Sequence, residues 1–385
     1  MGESLSTHED YMRMALALAK RGEGNVSPNP MVGCVVVKDN RVVAEGYHER
    51  YGGYHAERNA LLHCQEDVQG AVLYVTLEPC CHYGKTPPCT EIILEKKIQK
   101  AYVGCLDSNP KVAGKGVQIL RAHGVQVETG ILEEECRKLN EVFFYYMEEK
   151  MPFVAMKYAM TLDGKIACGT GDSKWVTGAE ARAYVQCLRN RYRGILAGIG
   201  TVLADNPLLN CRMEGGRNPL RILCDTRLRI PLDSQIVETA GEIETVIAWN
   251  PQAAEIKSLN ETVDYLKGKG ITLLEIPLKK GGVNPELDLR KLLQELGARG
   301  IDSVLLEGGG TLNASALREN LVQRVYAFVA PKLVAGANAK SPVEGAGISR
   351  MKDALELQDV EISPFGRDIC ITGRIGKEIS CLPEL

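Results

Sequence analysis

Two short stretches that must meet in space constrain this chain more than any other feature. His55-Ala56-Glu57 supplies an imidazole and a carboxylate, and the segment from Pro79 to Cys89 supplies the thiols of Cys80 and Cys89. A catalytic zinc site needs three protein ligands and leaves its fourth position to water. His55, Cys80 and Cys89 are therefore the predicted metal ligands, and the fold has to bring them together.

The spacing of these residues matches the signature of zinc nucleobase deaminases except at one point. That signature is H-x-E followed by P-C-x-x-C, whereas the second cysteine here comes nine residues after the first. On a helix, nine residues would span about 13 Å, but two thiolates on one zinc ion lie within about 4 Å of each other. The intervening segment must loop back, and Gly84 and Pro87-Pro88 suit such a loop. The loop would carry His82 and Lys85 to the mouth of the site.

Glu57 distinguishes between the possible interpretations of this cluster. A structural zinc ion or a reduced pair of buried cysteines would also explain the two thiols. Neither needs an unliganded carboxylate beside the imidazole, whereas a catalytic site uses one to move protons. We therefore predict a catalytic zinc ion, with Glu57 as the proton carrier.

Length and composition bound the class of protein. The chain has 385 residues, 45% of them hydrophobic, so we expect two or three domains with ample cores. A net charge of −3 and an aromatic content of 5% indicate no basic groove for nucleic acid. No apolar run of about eighteen residues occurs and residues 1–6 show no signal-peptide pattern, so we expect a cytoplasmic protein that binds no membrane. Most of the thirteen cysteines are expected to be small buried hydrophobes.

The first 150 residues alternate between helices and strands. The predicted order is αββαβαβαβ, from a helix capped by Thr7 to a strand at 125–128, followed by one charged helix over 132–149. Such alternation predicts a mostly parallel sheet with covered faces. Two loop asparagines are candidate ligand contacts: Asn29, which could equally serve its own turn, and Asn109, which follows a buried strand.

A new pattern begins after Lys150-Met151-Pro152, so we place a domain boundary near residue 150. Lys157 is the single charge in a buried strand and needs a partner or a phosphate. Trp175, in a polar loop, either packs against its surroundings or lines a cofactor pocket. Asp205 is predicted to lie in a fixed turn that starts at Gly200-Thr201 and ends at Asn206-Pro207.

Two further features of the second half concern charge and cofactor binding. A helix over 180–192 and its end carry four arginines, which we expect to be mostly solvated: Arg182, Arg189, Arg191 and Arg193. A strand over 301–306 runs into Glu307-Gly308-Gly309-Gly310-Thr311, which starts a helix. Such a turn lets backbone N–H groups approach a pyrophosphate, although it does not match G-x-G-x-x-G and could be an ordinary tight turn.

Both halves together resemble the bifunctional riboflavin-biosynthesis enzymes, in which a pyrimidine deaminase is fused to a pyrimidine reductase. In the first half the resemblance rests on His55-Ala56-Glu57, on Thr76-Leu77-Glu78-Pro79-Cys80-Cys81-His82, and on the long gap before Cys89 that is that family's own variation. In the second half it rests on Leu162-Asp163-Gly164-Lys165-Ile166, on Gly171-Asp172-Ser173-Lys174-Trp175, on residues 200–207 and on Glu307-Gly308-Gly309. Thr161 stands where a serine is expected, and we expect no change in role.

The resemblance implies an α/β fold for both domains. Residues 1–150 would form a three-layer, cytidine-deaminase-like zinc domain, and residues 151–385 would form a dihydrofolate-reductase-like domain. The implied reactions are deamination of 2,5-diamino-6-ribosylamino-4(3H)-pyrimidinone 5′-phosphate and then reduction of its ribosyl group to ribityl by NADPH. The expected partners are small phosphorylated pyrimidines and a second copy of the chain in a homo-oligomer, with no nucleic acid.

The resemblance also assigns individual residues. Contacts to the deaminase substrate fall on Asn29, His82, Lys85 and Asn109. Contacts to NADPH fall on Ala159, Trp175, Thr201, Asp205, Thr226 and, in the turn after Glu307, on Gly309, Gly310 and Thr311. Contacts to the reductase substrate fall on Lys157, Ser173, Arg189, Leu209, Arg212 and Glu307. Asp205 is also our candidate for the acid that assists reduction of the sugar.

Two other functions compete with this one. A nucleic-acid-editing deaminase with an accessory nucleotide-binding domain would need a basic groove, which this mildly acidic chain does not provide. A nucleotide sensor with a structural zinc ion would have no use for Glu57.

The end of a predicted strand at 219–224 bears on the choice of coenzyme. The hydroxyl and guanidinium of Thr226-Arg227 could hold a 2′-phosphate and so favour NADPH. Asp225 is contrary evidence, because a carboxylate there would suit a free ribose hydroxyl.

Overall fold

The computed structural model describes residues 7–254, 258–280 and 285–376. The chain divides into two compact units, Met1–Lys150 and Met151–Leu385, called here the first and second units. The prediction for residues 1–6 lies outside the described residues. Within the described ranges, no helix combines the length and the apolar character that crossing a membrane requires.

The first unit is a five-stranded sheet flanked by helices. Its elements are α1 (His8–Lys20), β1 (Gly33–Lys38), β2 (Arg41–Tyr47), α2 (Ala56–His63), β3 (Val72–Leu77), α3 (Cys89–Glu95), β4 (Lys100–Cys105), α4 (Lys115–Ala122), β5 (Gln126–Thr129), α5 (Glu133–Leu139) and α6 (Glu141–Glu149). The strand order is β2-β1-β3-β4-β5. The predicted order of elements and the α/β class are therefore confirmed.

Four of the five strands run in the same direction, as predicted, and β1 alone runs against them. β1 pairs antiparallel with both β2 and β3, whereas β3, β4 and β5 pair in parallel. The hairpin causes the reversal, because Asp39 and Asn40 adopt φ values of 51° and 56°, which a tight hairpin turn requires. Helix α1 packs closely on β1: a Cβ on Gly33 would lie 1.9 Å from the Ala15 carbonyl oxygen, so only glycine fits.

Residues 132–149 form two helices instead of the one that we predicted. Asn140 separates α5 from α6, and its side chain is buried. The Asn140 amide accepts from the Met31 N–H at 2.8 Å and donates to the Met31 carbonyl at 2.8 Å. These two hydrogen bonds attach the start of α6 to the chain just before β1, so that α6 folds back over the end of the sheet.

The second unit is built on a nine-stranded sheet. Its elements are β6 (Phe153–Thr161), α7 (Ala179–Arg191), β7 (Gly194–Gly198), α8 (Ile199–Asp205), β8 (Leu220–Cys224), α9 (Gln235–Glu238), β9 (Thr245–Trp249), α10 (Leu259–Gly268), β10 (Thr272–Glu275), α11 (Leu289–Ala298), β11 (Ser303–Leu306), α12 (Gly310–Arg318), β12 (Arg324–Ala330), β13 (Leu357–Phe365) and β14 (Asp368–Ile375). The order is β10-β9-β8-β7-β11-β6-β12-β14-β13.

The seven strands from β10 to β12 run in parallel, and the hairpin β13–β14 adds two antiparallel strands. The carboxyl ends of β8, β7, β11, β6 and β12 therefore share one edge, called here the carboxyl edge. In open α/β sheets, ligands bind in a crevice at that edge. β6 extends past the end of β11, because Leu306 pairs with Met156 and β6 continues to Thr161.

The prediction of a turn from Gly200 to Pro207 is wrong, because the residues up to Asp205 belong to helix α8. It begins after Gly198 and ends at Asp205, where Asn206 adopts a left-handed φ of 42°. Ile199 and Val202, three positions apart, are buried on one face. This buried face stabilises a helix that the local Gly-Thr sequence does not indicate.

Candidate active sites

His55, Cys80 and Cys89 converge at one end of the first unit's sheet. The Nδ1 atom of His55 lies 3.4 Å from the Cys80 sulfur and 3.6 Å from the Cys89 sulfur. The three ligand atoms all lie within 4.8 Å of one another. One imidazole nitrogen and two thiol sulfurs are a donor set that suits zinc in tetrahedral geometry. The residues present therefore fit a zinc ion.

Three elements hold these groups in place. His55 is the N-cap of α2, Cys80 follows β3, and Cys89 is the first residue of α3. The intervening loop folds back as predicted, because the Cys89 N–H donates to the Cys80 sulfur at 3.3 Å. Arg58 on α2 secures the end of the loop by donating to the carbonyls of Pro87 and Pro88.

Glu57 lies in the first turn of α2, and only 3% of it is exposed. Burial and the nearby Cys80 thiolate raise the pKa of Glu57 to about 7. A hydrogen bond from Cys89 lowers the pKa of Cys80 to about 4, and the imidazole of His55 acts in the same direction. A carboxyl group that titrates near neutral pH can both accept and release a proton.

A cavity of about 290 Å³ opens beside this cluster. Its lining includes His55, Cys80 and Glu57 together with the four predicted substrate contacts: Asn29, His82, Lys85 and Asn109. The Nδ1 atom of His82 is buried and has no hydrogen-bond partner among the described residues. The Lys85 ammonium lies 3.9 Å from the centre of the Tyr51 ring. The structure thus brings together every residue that the sequence assigned to this site.

His48 lies in the wall of the cavity, and both of its ring nitrogens have hydrogen-bond partners. Its Nδ1 lies 2.9 Å from the Tyr54 carbonyl, and its Nε2 lies 3.1 Å from the Asn29 side-chain nitrogen. The first contact requires Nδ1 to donate, so Nε2 accepts from Asn29. Burial lowers the pKa of His48, which agrees with a neutral ring. His48 thereby fixes the Asn29 amide with its oxygen free for the cavity.

Sequence reasoning missed the contribution of α6. Phe143, Tyr146 and Met147 line the cavity, and we call them the α6 wall. Their spacing of three and four residues places them on one helix face, which is the signal that could have identified them. The sequence indicated only a charged helix over 132–149 and no part of the site.

Glu78 was also missed. Its buried carboxylate accepts backbone N–H groups from Asp107 at 3.2 Å, Gly114 at 2.8 Å and Val117 at 3.1 Å. These bonds hold the loop that carries Asn109 against the end of β3. The position of Glu78 directly before Pro79-Cys80 was the only available signal.

In the second unit, Glu307 is the centre of a largely buried ionic cluster at the carboxyl edge. Arg189 on α7 donates to its two carboxylate oxygens, at 2.8 Å and 2.9 Å. The Lys157 ammonium lies 3.5 Å from the same carboxylate, which is the partner that this buried lysine was predicted to need. Burial raises the pKa of Glu307, but the charges of Arg189 and Lys157 outweigh it and lower the pKa to about 2.

The predicted cofactor contacts also lie along the carboxyl edge. Thr201 lies on α8 after β7, Thr226 follows β8, and Ala159 lies on the part of β6 that extends past β11. Gly309 is the N-cap of α12, Gly310 and Thr311 are its first two residues, and a Cβ on Gly309 would meet no atom within 4 Å. Asp205 is exposed at the end of α8, not in a turn.

The remaining predicted residues of this unit lie in loops. Leu209 is buried in the hydrophobic core, so only its backbone is available to a ligand. Arg212 is exposed and donates to the Asn210 side chain, while Arg189 donates to the Asn210 carbonyl. Ser173 is half-buried in the loop that leads to Trp175.

The arginines of α7 and its end are not mostly solvated, which corrects our prediction. All four are only partly exposed: Arg182, Arg189, Arg191 and Arg193. Arg189 binds Glu307, and the Arg182 guanidinium lies 4.5 Å from the centre of the Trp175 ring. Their partners are distant in sequence or in an irregular loop, so helix periodicity could not identify them.

Asp225, which opposed the choice of NADPH, is fully buried and so is not presented to a ligand at the surface. Its Oδ2 atom accepts the Ile230 N–H at 2.8 Å, and its Oδ1 atom has no hydrogen-bond partner among the described residues. Burial raises the pKa of Asp225. Its role is to hold the turn after β8, and this removes the sequence-based argument for a ribose hydroxyl at Asp225.

Family models match both halves of the chain. Residues 5–105 match the cytidine and deoxycytidylate deaminase zinc-binding region, and residues 152–371 match the RibD C-terminal domain. Riboflavin biosynthesis protein RibD of Actinobacillus pleuropneumoniae is 51% identical over 365 residues, which cover 95% of this chain and 94% of the relative. The Escherichia coli protein of the same name is 37% identical and covers 94% of this chain and 98% of its own.

Solved structures agree with these matches. Acinetobacter baumannii RibD aligns with a TM-score of 0.84 at 38% identity, covering 96% of this chain and 99% of its own. A Thermotoga maritima diaminohydroxyphosphoribosylaminopyrimidine deaminase/5-amino-6-(5-phosphoribosylamino)uracil reductase aligns with a TM-score of 0.80 at 38% identity, covering 96% and 98%. The chain belongs to the RibD family of riboflavin-biosynthesis proteins, bifunctional enzymes that combine a deaminase and a reductase.

Proposed function

We propose that residues 1–150 deaminate 2,5-diamino-6-ribosylamino-4(3H)-pyrimidinone 5′-phosphate and that residues 151–385 then reduce its ribosyl group to ribityl with NADPH. The observation that carries the first half is the buried carboxylate of Glu57 beside a cluster that fits zinc. The ionic cluster around Glu307 at the carboxyl edge supports the second half. A cytoplasmic location and a homo-oligomeric state stay predictions, and the mass of the protein in solution tests the latter.

In the deaminase site, His55, Cys80 and Cys89 would hold the zinc ion. Zinc, when bound, makes hydroxide available near neutral pH. Glu57 accepts a proton from the attacking water and passes it to the ring nitrogen next to the carbon that bears the amine. Glu57 then takes the second proton, from the hydroxyl that has been added to that carbon, and gives it to the amine, so that the C–N bond breaks and a carbonyl and ammonia remain. Such proton transfer contributes about 10²- to 10⁴-fold.

The rest of the cavity would orient the pyrimidine. Asn29, held by His48, presents its side-chain oxygen to a donor group on the ring. His82 offers the buried Nδ1 atom that has no partner among the described residues, and Lys85 supplies a positive charge at the mouth for the phosphate. Asn109 is held in reach by the loop that Glu78 anchors.

In the reductase site, the carboxyl edge would hold both ligands. NADPH supplies the hydride when it is bound. Lys157, Arg189 and Glu307 offer charged groups to the sugar phosphate substrate, with Ser173, Leu209 and Arg212 on the adjoining loops. Asp205, exposed at the end of α8, is our candidate for donating the proton that opens the sugar ring or for holding the nicotinamide ribose.

Replacement of Glu57 by glutamine tests the division of labour. Glu57→Gln keeps the shape of the side chain but cannot carry a proton, so ammonia release should fall by about 10²-fold or more while zinc stays bound. NADPH oxidation with already deaminated substrate should be unchanged. Normal ammonia release would refute the role of Glu57, and loss of NADPH oxidation would refute the independence of the two sites.

The nucleic-acid-editing function is not favoured. It would need a basic groove, which a net charge of −3 does not indicate. Relatives that cover almost the whole chain are riboflavin-biosynthesis proteins.

A further inference from the structure

Trp175 is a large apolar side chain on the surface of the second unit, with 61% of it exposed. The Arg182 guanidinium lies over its ring, 4.5 Å from the ring centre. Arg182 also donates to the Thr177 carbonyl at 2.6 Å, which ties the guanidinium to the loop that carries the indole. The indole thus has a positive group over its ring, while more than half of the residue is open to solvent.

The backbone of Trp175 is attached to the carboxyl edge. The Lys332 ammonium donates to the Trp175 carbonyl at 2.6 Å. Lys332 lies two residues after β12, and its carbonyl accepts the N–H of Leu162, which directly follows β6. The backbone of Trp175 is therefore tied to the ends of β6 and β12.

We propose that Arg182 is a positioning residue for the coenzyme, which acts by stacking on Trp175. A guanidinium is planar and packs flat on an aromatic face, where it is attracted to the electrons of the ring. By packing on one face it fixes the rotation of a largely exposed indole and leaves the opposite face for a flat ring of NADPH. The proposal rests on the proposed function, in which Trp175 contacts NADPH.

A double-mutant cycle on coenzyme affinity tests this role. NADPH binding is measured by calorimetry, without turnover, for the full chain and for Arg182→Ala, Trp175→Leu and the double variant. An exposed cation–aromatic contact is worth a factor of about two to five in affinity, so Arg182→Ala should weaken NADPH binding by that factor. Because Arg182 acts through Trp175, the same change should have no further effect in the Trp175→Leu background.

Two control variants separate stacking from the effect of positive charge, at Arg182 itself and elsewhere on α7. Arg182→Lys keeps the positive charge but loses the planar group, so it should weaken NADPH binding nearly as much as Arg182→Ala. Arg191→Ala removes another arginine from α7, and the affinity of this variant for NADPH should stay normal.

Fluorescence tests whether Arg182 covers the indole. In a Trp249→Phe background, Trp175 is the only tryptophan, and Arg182→Ala should increase the quenching of the Trp175 fluorescence by acrylamide.

The outcomes distinguish this proposal from the one on which it rests. If Trp175→Leu leaves NADPH affinity unchanged, the predicted coenzyme contact at Trp175 is wrong. If Trp175→Leu weakens binding but Arg182→Ala does not, only the role of Arg182 is refuted. Additive effects in the double variant, or an equal loss in Arg191→Ala, would also overturn it, because they would show a general charge effect.

Discussion

Glu57 is buried and Glu307 is nearly so, but their surroundings move their pKa values in opposite directions. Glu57 lies near a thiolate, and burial with that negative charge raises its pKa to about 7. Glu307 lies between two cations, which lower its pKa to about 2 although burial opposes them. The first group is suited to carry protons and the second to remain charged. Neighbouring charge, which sequence alone does not reveal, decides between these roles.

We predict that Glu307→Gln strongly destabilises the second unit. The substitution leaves Arg189 and Lys157 buried without their carboxylate, and removing one partner of a buried ion pair costs about 3–5 kcal/mol. Urea unfolding followed by tryptophan fluorescence measures this unit, because Trp175 and Trp249 both belong to it. Glu295→Gln, which removes an exposed ion pair on α11, should change the free energy of unfolding far less.

The same variant should show a characteristic dependence on pH. Because the folded-state pKa of Glu307 is about 2 and its ordinary value is 4.5, its charge stabilises the fold at any pH above about 4.5. That stabilisation is lost as the pH falls from 4.5 through 2. The difference in stability between the wild-type protein and Glu307→Gln should therefore narrow below pH 4.5. A constant difference down to pH 3 would contradict the predicted ion pairing.

We predict that Asp205→Asn impairs the reductase and leaves deamination intact. Asp205 is exposed at the end of α8, on the carboxyl edge, so replacing it removes little packing. NADPH oxidation should fall at least tenfold with a normal thermal midpoint. A lowered midpoint with normal kcat would instead show that Asp205 only stabilises the end of the helix.

At the scale of helices and strands, local pattern predicted most of the fold. Capping by Thr7, strand alternation and the turn residues placed the elements of the first unit in the correct order, since each depends on neighbours in sequence. The exceptions depend on distant contacts. Asn140 breaks a helix by binding Met31, which is 109 residues away in the chain, and α8 forms because Ile199 and Val202 find a core.

The residues of the candidate sites also fall into two groups, those that a local pattern predicts and those that depend on distant contacts. A motif with fixed spacing contained the proposed zinc ligands and Glu57, so they could be named from sequence. His48 and the α6 wall join the cavity only through folding, and no short motif marks them, while Glu78 lies within the motif but its contacts to residues 107–117 depend on the fold.

The turn after β8 leads to a prediction about the coenzyme. Because Asp225 is buried in that turn, Thr226 and Arg227 remain as the groups that can meet a 2′-phosphate. We expect kcat/KM for NADPH to exceed kcat/KM for NADH at least tenfold. Arg227→Ala should reduce the ratio of these two values, mainly by lowering kcat/KM for NADPH. Arg229→Ala, on the same turn, is the matched control and should keep the ratio. Equal values for the two coenzymes in the wild-type protein would exclude this assignment.

For the molecule as a whole, the two units predict two separable activities. The predicted zinc ligands all belong to the first unit, and the predicted coenzyme contacts all belong to the second. We expect one zinc ion per chain by elemental analysis, and none in Cys80→Ser/Cys89→Ser. That double variant should release no ammonia but should still oxidise NADPH with deaminated substrate. Cys64→Ser/Cys187→Ser, which alters two cysteines outside the cluster, should keep its zinc.

A full zinc complement in Cys80→Ser/Cys89→Ser would show that the metal is held elsewhere. Loss of NADPH oxidation in that variant, with the tryptophan fluorescence of the second unit unchanged, would show that the activities depend on each other.

The α6 wall has a consequence for inhibitor design. The match to the zinc-binding region of cytidine deaminases ends at residue 105, so Phe143, Tyr146 and Met147 lie outside it. A compound that binds only the metal cluster would meet groups that many zinc deaminases share. A compound that also extends across to the α6 wall would gain contacts from outside that shared region. An inhibitor that is to be selective for this enzyme should therefore contact the α6 wall, whose residues lie far in sequence from the metal motif.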